Sequence, residues 1–296
     1  MSTKRLLFGL NVPASAAPGA DPAAAAVAAE RLGYDFVATS DHPCGDSPTF
    51  ETWTMLAWMA AATSRISVAS RVLGVPYRNP AMVAKMAETL QRLSGGRLIL
   101  GLGGGYSDDE FRAFGLPVPS ARDKVDGLAD AIRIARGLWS QPRFSYAGRI
   151  HRTDAAQLTP KPQRPIPIWL GTFGPRALAV TGRLADGWIP SLGFAPPDVA
   201  VAMRRRVLDA AVAAGRDPDE ITCAYHLSVR VQDTVRGDDD PAAEPVAGPP
   251  DALVERFLGY VRSGFTAFSV ALAGPDADAQ REVFAQQVIP AVRAAA

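Results

Sequence analysis

The sequence predicts a (β/α)₈ barrel, and three features predict it. Short apolar segments alternate with helical ones along the whole chain, and eight of the apolar segments read as strands. Those segments are continuous apolar runs rather than alternating ones, as in parallel strands covered on both faces. The length also suits it: 296 residues, 48% of them hydrophobic, are enough for one barrel-sized domain over 1–296. A doubly wound sheet satisfies the same alternation, because the pattern does not show closure.

Leu6–Val12 is the first predicted strand, ended by Pro13. Asp21 caps an alanine-rich helix with Pro22 at its first position, and Gly33 stops it after Leu32. Tyr34–Thr39 is the second strand and runs into Ser40-Asp41-His42-Pro43; Phe50–Thr63 is helical. Arg65–Leu73 is the third strand. Asn79-Pro80 then opens a helix whose Met82, Val83, Met86, Leu90 and Leu93 recur at helical spacing, ended by Gly95-Gly96. Arg97–Leu100 is the fourth strand, followed by Gly101-Leu102-Gly103-Gly104-Gly105-Tyr106 and the polar helix start Ser107-Asp108-Asp109-Glu110.

Val125, Leu128, Ile132, Ala135 and Trp139 mark a long amphipathic helix. The proline-rich link 160–165 leads into the fifth strand, Ile166–Leu170, and its end Gly171-Thr172-Phe173-Gly174. Pro175 begins the next helix, to about Ala185. Gly187–Pro190 is a short sixth strand, Pro196–Ala214 a helix and Ile221–Val231 the seventh strand. Asp233–Pro250, rich in Asp, Gly and Pro, reads as one long loop able to close over the barrel mouth. Asp251–Arg262 is helical, Phe265–Leu272 is the eighth strand and Asp276–Arg293 the last helix.

Composition narrows the function. The formal net charge of +1 with no basic stripe gives nucleic acid no electrostatic footprint. No apolar run is long enough to span a membrane and no leader pattern opens the chain, so a cytoplasmic protein is expected. Cys44 and Cys223 lie far apart without zinc-site spacing. In a barrel the chemistry gathers at the C-terminal strand ends. Those ends offer Asn11, Asp41, His42, Ser70, Arg71, Val72, the glycines 101–105 and Gly171–Gly174, with His226 or Arg230 from the seventh strand. A hydrolytic metal centre needs several His and Asp ligands, and of the three histidines only His42 stands firmly at a strand end; only Asp41 is placed as a glycosidase carboxylate would be, and no G-x-S-x-G elbow is present. An Asp-His pair and two glycine-rich turns remain. Backbone without side chains beside a helix start lets amides approach an anion closely, as a phosphorylated cofactor requires. The same residues also suit plainer roles: Asp41 as a cap, His42 as a structural histidine, Gly171–Gly174 as a strand–helix turn.

The ordered set of segments resembles the luciferase-like monooxygenase superfamily, in the short form that uses coenzyme F420, a deazaflavin. The set comprises Leu32-Gly33-Tyr34-Asp35 leading to Ser40-Asp41-His42; Arg71-Val72 with Tyr77-Arg78-Asn79-Pro80; Leu93-Ser94-Gly95-Gly96-Arg97 leading to Gly101–Gly105; Pro165-Ile166-Pro167-Ile168-Trp169-Leu170-Gly171; and Ala185-Asp186-Gly187-Trp188. The resemblance implies a (β/α)₈ barrel and hydride transfer between F420 and a small organic substrate. It implies His42 and Asp41 as the catalytic pair, with His42 facing substrate and Asp41 setting its charge and orientation. It implies a non-prolyl cis peptide at Arg71–Val72 behind the ring. It assigns the ring's polar edge and the phosphate-bearing tail to Gly103, Gly104, Gly105 and Tyr106, and to Gly171, Thr172, Phe173 and Gly174 with Arg176. Arg71 is bulky where family members often carry a small residue. FMN with oxygen is the alternative cofactor, and a barrel that only binds a ligand is the non-enzymatic alternative. Related proteins are often homodimers, and the helix carrying Met55, Trp58 and Met59 is the candidate interface.

Overall fold

The computed structural model describes residues 5–233, 244–274 and 276–296. Eight parallel strands close into a barrel: β1 (Leu7–Asn11), β2 (Phe36–Thr39), β3 (Ser67–Ser70), β4 (Leu98–Gly103), β5 (Ile168–Leu170), β6 (Gly187–Trp188), β7 (Thr222–Val231) and β8 (Ala267–Leu272). Each pairs with the next, and closure comes from β8 against β1, with Leu7 opposite Ala267 and Leu10 opposite Val270. Around them lie α1 (Pro22–Arg31), α2 (Thr52–Ala62), α3 (Pro80–Leu93), α4 (Asp108–Ala113), α5 (Ala121–Ser140), α6 (Pro175–Leu184), α7 (Pro197–Ala213), α8 (Pro250–Arg262), α9 (Ala277–Val283) and α10 (Ile289–Ala295). Among the described residues no helix is long and apolar enough to cross a membrane.

Strand periodicity separates two cores. Outward residues such as Phe8, Leu10, Val37, Val68, Leu100 and Phe268 meet the helices. Inward residues fill the barrel: Phe36 and Ala38, Ala69, Ile99, Trp169, Ile189, Ala224 and Ala267. Phe36 and Trp169 meet edge to face, centroids 5.7 Å apart. They fit because the neighbouring strands carry no side chain there. A Cβ on Gly9 would lie 2.1 Å from the Phe36 ring, and one on Gly187 2.4 Å from Trp169. This aromatic layer plugs the barrel and forms the floor beneath whatever the C-terminal strand ends hold.

The helix starts follow the sequence signals. Asp21 Oδ1 accepts from Ala24 N at 2.9 Å, Asn79 Oδ1 from Ala81 N at 2.9 Å, and proline stands in the first turn of α1, α3, α6, α7 and α8. Five predicted features are corrected. The third strand ends at Ser70; after Arg71–Val72, Leu73–Gly74 pairs separately with Leu102 and Gly103 of β4. The glycine turn begins later than predicted, because β4 itself runs through Gly101 to Gly103. A hairpin of Phe144–Ala147 and Arg152–Ala156 precedes β5, held by buried Asp130 of α5, which accepts from Tyr146 OH and from the amides of Ile150 and His151. Within the stretch Asp233–Pro250, predicted as one closing loop, Val246–Gly248 pairs with β7, and residues 234–243 lie outside the described residues. The last helix is interrupted by a wider turn over Phe284–Val288, which accommodates Pro290 with its missing N–H. On α2, Met55 and Met59 are core residues and Trp58 alone of the three is exposed.

Candidate active site

The chain leaving β2 delivers Asp41 and His42 to the mouth, where they part company. The Asp41 carboxylate is wholly buried. It accepts from Arg78 Nη1 at 2.7 Å and Nη2 at 3.0 Å, and from the Gly74 amide at 2.9 Å. Arg78 also holds Glu51 at 2.6 Å. Burial works against the Arg78 charge, and the two carboxylates more than offset it, so its guanidinium is held above its usual value. Asp41 therefore fastens the β2 end to the segment after β3.

The partner of His42 is Glu110 of α4, with Nδ1 and Oε1 2.9 Å apart. The other carboxylate oxygen, Oε2, accepts from Tyr77 OH at 2.5 Å. Burial and then Glu110 push the Tyr77 phenol well above its ordinary value, so Tyr77 stays a neutral donor. This corrects the expectation that Asp41 orients His42. Glu110 stands 68 residues away and reads in sequence as part of a polar helix start; its only local signal is the Ser107-x-x-Glu110 spacing of a capping box. Ser107 does cap α4, but the Glu110 side chain turns to His42 and Tyr77 instead of back to Ser107.

Behind this relay lies a cavity of about 250 Å³. Val72, Gly103, Gly104, Gly105 and Gly171 line one side, and His42, Tyr77, Arg71 and Asp41 another. Tyr106, Phe173 and Phe194 make an aromatic wall, with Tyr106 and Phe173 each within 5.6 Å of Phe194 between ring centroids. Val72 is the hub of the glycine side: its methyls lie 2.7 Å from where a Cβ on Gly103 would stand and 3.1 Å from one on Gly171. Ile189, Ser191 and Phe194, from the β6 end, also line the cavity and were not singled out from the sequence.

Three predicted site residues lie outside that lining. Thr172 is buried and shares a 2.7 Å hydrogen bond with Thr181 of α6, while its carbonyl accepts from Trp188 Nε1. Gly174 caps α6 with nothing near its Cα hydrogens. Arg176, largely exposed, pairs with Asp126 at 2.9 Å, beside Arg149. The first turn of α4 carries Asp108, Asp109 and Glu110, and Lys124 is already paired with Asp108 at 2.7 Å. That helix start therefore presents carboxylates, not free positive charge, to the glycine turn. Of the seventh-strand candidates, His226 faces the barrel interior and pairs with Ser269 at 3.2 Å; Arg230 lies farther out, near Gly274.

Residues 8–283 match the family described as luciferase-like monooxygenase. The chain belongs to that family. An F420-dependent glucose-6-phosphate dehydrogenase of Nakamurella multipartita is 28% identical to this luciferase-like chain over 337 residues, spanning 99% of it and 98% of that protein. Two solved structures share its fold. An F420-dependent secondary alcohol dehydrogenase in complex with an F420-acetone adduct matches with a TM-score of 0.86 at 21% identity, covering 97% of this chain and 99% of that one. A coenzyme F420-dependent tetrahydromethanopterin reductase from Methanopyrus kandleri matches at 0.80 and 22%, with the same coverage. The non-prolyl cis peptide that the luciferase-like resemblance led us to expect is present, between Arg71 and Val72.

Proposed function

We propose that this chain is a coenzyme F420-dependent oxidoreductase, moving hydride between the deazaflavin and a small organic substrate, with His42 handling the accompanying proton and Glu110 orienting it. The observation that carries this reading is the Tyr77–Glu110–His42 relay at the lip of a cavity lined by backbone and aromatic rings. The relatives named F420-dependent support the coenzyme.

The lining suits a flat heteroaromatic group. Its glycine side offers amides and carbonyls without side chains, and Tyr106, Phe173 and Phe194 offer ring faces. When bound, the deazaflavin would supply the hydride-accepting or hydride-donating carbon. Val72, Gly103–Gly105 and Gly171 would seat the ring; His42 works at the substrate. A carboxylate at Glu110 can only accept, and it already accepts from Tyr77, so Nδ1 of His42 donates to it. That leaves Nε2 as the basic nitrogen, able to take a hydroxyl proton or return one to a carbonyl. His42 is about half exposed, so it exchanges that proton with solvent between turnovers. Asp41 acts one step back, holding the β2 end through Arg78. The same reading places the enzyme in the cytoplasm and pairs two copies through the α2 face that presents Trp58; a monomer by sedimentation would remove the pairing.

The test is a fluorescence titration with oxidised F420 and, separately, with FMN. Tight F420 binding and weak FMN binding are expected, with His42→Ala keeping F420 affinity within about twofold while turnover of an accepted substrate falls about 100-fold or more. Preference for FMN would transfer the barrel to oxygen-using chemistry, and binding of neither would remove the reading.

A further inference from the structure

Arg71 is held differently from three other cations around the mouth. Arg78, Lys124 and Arg176 each face a carboxylate within ion-pair distance. Arg71 donates from Nε to Asn11 Oδ1 at 2.9 Å, and among the described residues its two terminal nitrogens have no hydrogen-bond partner and no carboxylate lies within 4 Å. The carboxylate that acts on it most, Glu244, is turned to the Ser228 amide at 2.9 Å. Burial lowers the Arg71 guanidinium to about 10, with Glu244 partly restoring it, so it remains a cation at neutral pH. His226 is buried near it and is pushed well below its usual range by that burial and then by Arg71, so it stays neutral. Arg71 therefore lines the cavity as a charge whose guanidinium, among the described residues, is hydrogen-bonded only to the neutral Asn11, with Glu244 acting on it from beyond ion-pair distance.

Arg71 is partly buried, and a guanidinium partly withdrawn from water without a counter-ion leaves its terminal N–H groups free to bind an anion. Its planar fork matches an anionic oxygen, and the Asn11 bond fixes the fork while leaving its outer edge open. We propose that Arg71 is the anion anchor of this cavity, receiving an ionised oxygen of a bound ligand. Two sources carry that chemistry: the coenzyme, itself an anion, or a carboxylate on the substrate. The proposal rests on the cavity being the coenzyme–substrate chamber.

Arg71→Met and Arg71→Lys, with Arg71→Gln in reserve should the methionine variant fail to fold, separate the sources. The probes are oxidised F420, titrated by fluorescence, and benzoate, titrated by calorimetry into both F420-loaded and cofactor-free protein. If the coenzyme supplies the oxygen, Arg71→Met raises the F420 Kd about tenfold or more, and Arg71→Lys recovers part of that loss. If the substrate supplies it, the F420 Kd stays within about twofold while benzoate binding to the loaded protein is lost in Arg71→Met and partly kept in Arg71→Lys. Unchanged affinity for both probes in Arg71→Met, or no benzoate binding to wild type together with an unchanged F420 Kd, overturns the anchor. A wild-type protein that ignores F420 but loses benzoate binding on Arg71→Met would break the coenzyme reading and leave the anchor standing.

Discussion

The strand ends after β4 and β5 look alike as sequence, Gly101–Gly105 and Gly171–Gly174, yet only the first is built from close approaches throughout. A Cβ on Gly101 would stand 1.8 Å from the Ser70 carbonyl oxygen, and one on Gly103 2.7 Å from Val72. Ser70 reinforces the first contact by donating to the Gly101 carbonyl at 2.8 Å and accepting from its amide at 2.9 Å. After β5 only Gly171 touches Val72; Thr172 turns its hydroxyl into α6, and Gly174 has open space around it. A glycine-rich turn is thus a candidate ligand seat where an adjacent strand end crowds it, and a simple exit from a strand where nothing does.

The largest effect expected from this contrast is at Gly101. Gly101→Ala drives a methyl into backbone that cannot rotate away, and should destabilise the fold by about 3 kcal/mol or more in denaturant unfolding. Gly103→Ala meets a side chain instead. It should fold, and weaken F420 binding about tenfold by pushing Val72 into the ring seat, with Val72→Ala restoring part of the loss in the double variant. A rescue that fails would detach Gly103 from Val72 and weaken the contrast on its stronger side.

Thr172→Val should move stability and leave binding alone. It deletes the hydrogen bond to Thr181, whose hydroxyl still reaches the Ala177 carbonyl at 2.9 Å, so the cost is about 1 kcal/mol. The F420 Kd should stay within about twofold; a larger change would return Thr172 to the cavity.

The barrel was legible because its signals are local. Continuous apolar strands, Asp21-Pro22 and Asn79-Pro80 as helix starts, and the glycines that end helices need no knowledge of what lies across the sheet. The position of the mouth was legible for the same reason: Asp41, His42, Arg71, Val72 and Gly103–Tyr106 all stand at or just beyond the C-terminal ends of predicted strands, and all line the cavity. The pairing of charges at the mouth was not. Asp41 adjoins His42 in sequence, but the backbone sends it to Arg78, 37 residues on, while Glu110 arrives at His42 from 68 residues away. Arg176 looked available for a phosphate until Asp126 was placed beside it. Which carboxylate meets which cation depends on register and on the azimuth of a helix, and neither is written at the residue itself.

The smallest predicted effect is the most discriminating. Gly174 has φ −72° and ψ 151°, extended backbone open to any residue, and a Cβ there meets nothing within 4 Å. Gly174→Ala therefore meets no steric obstacle. Alanine is a somewhat poorer N-cap than glycine but loses less chain entropy on folding, and these terms, each of a few tenths of a kcal/mol to about 1, oppose one another. Unfolding midpoints should barely move. The F420 Kd should be unchanged if this turn is only the exit from β5 into α6. If the phosphate-bearing tail comes to lie against the Gly174 amide, as the family resemblance implies, the added methyl stands between amide and phosphate. Affinity then falls about fivefold or more with no loss of stability. That result would show that crowding within the protein is not the only reason for a glycine at a strand end, and that the second turn is reserved for a ligand the fold leaves room to receive.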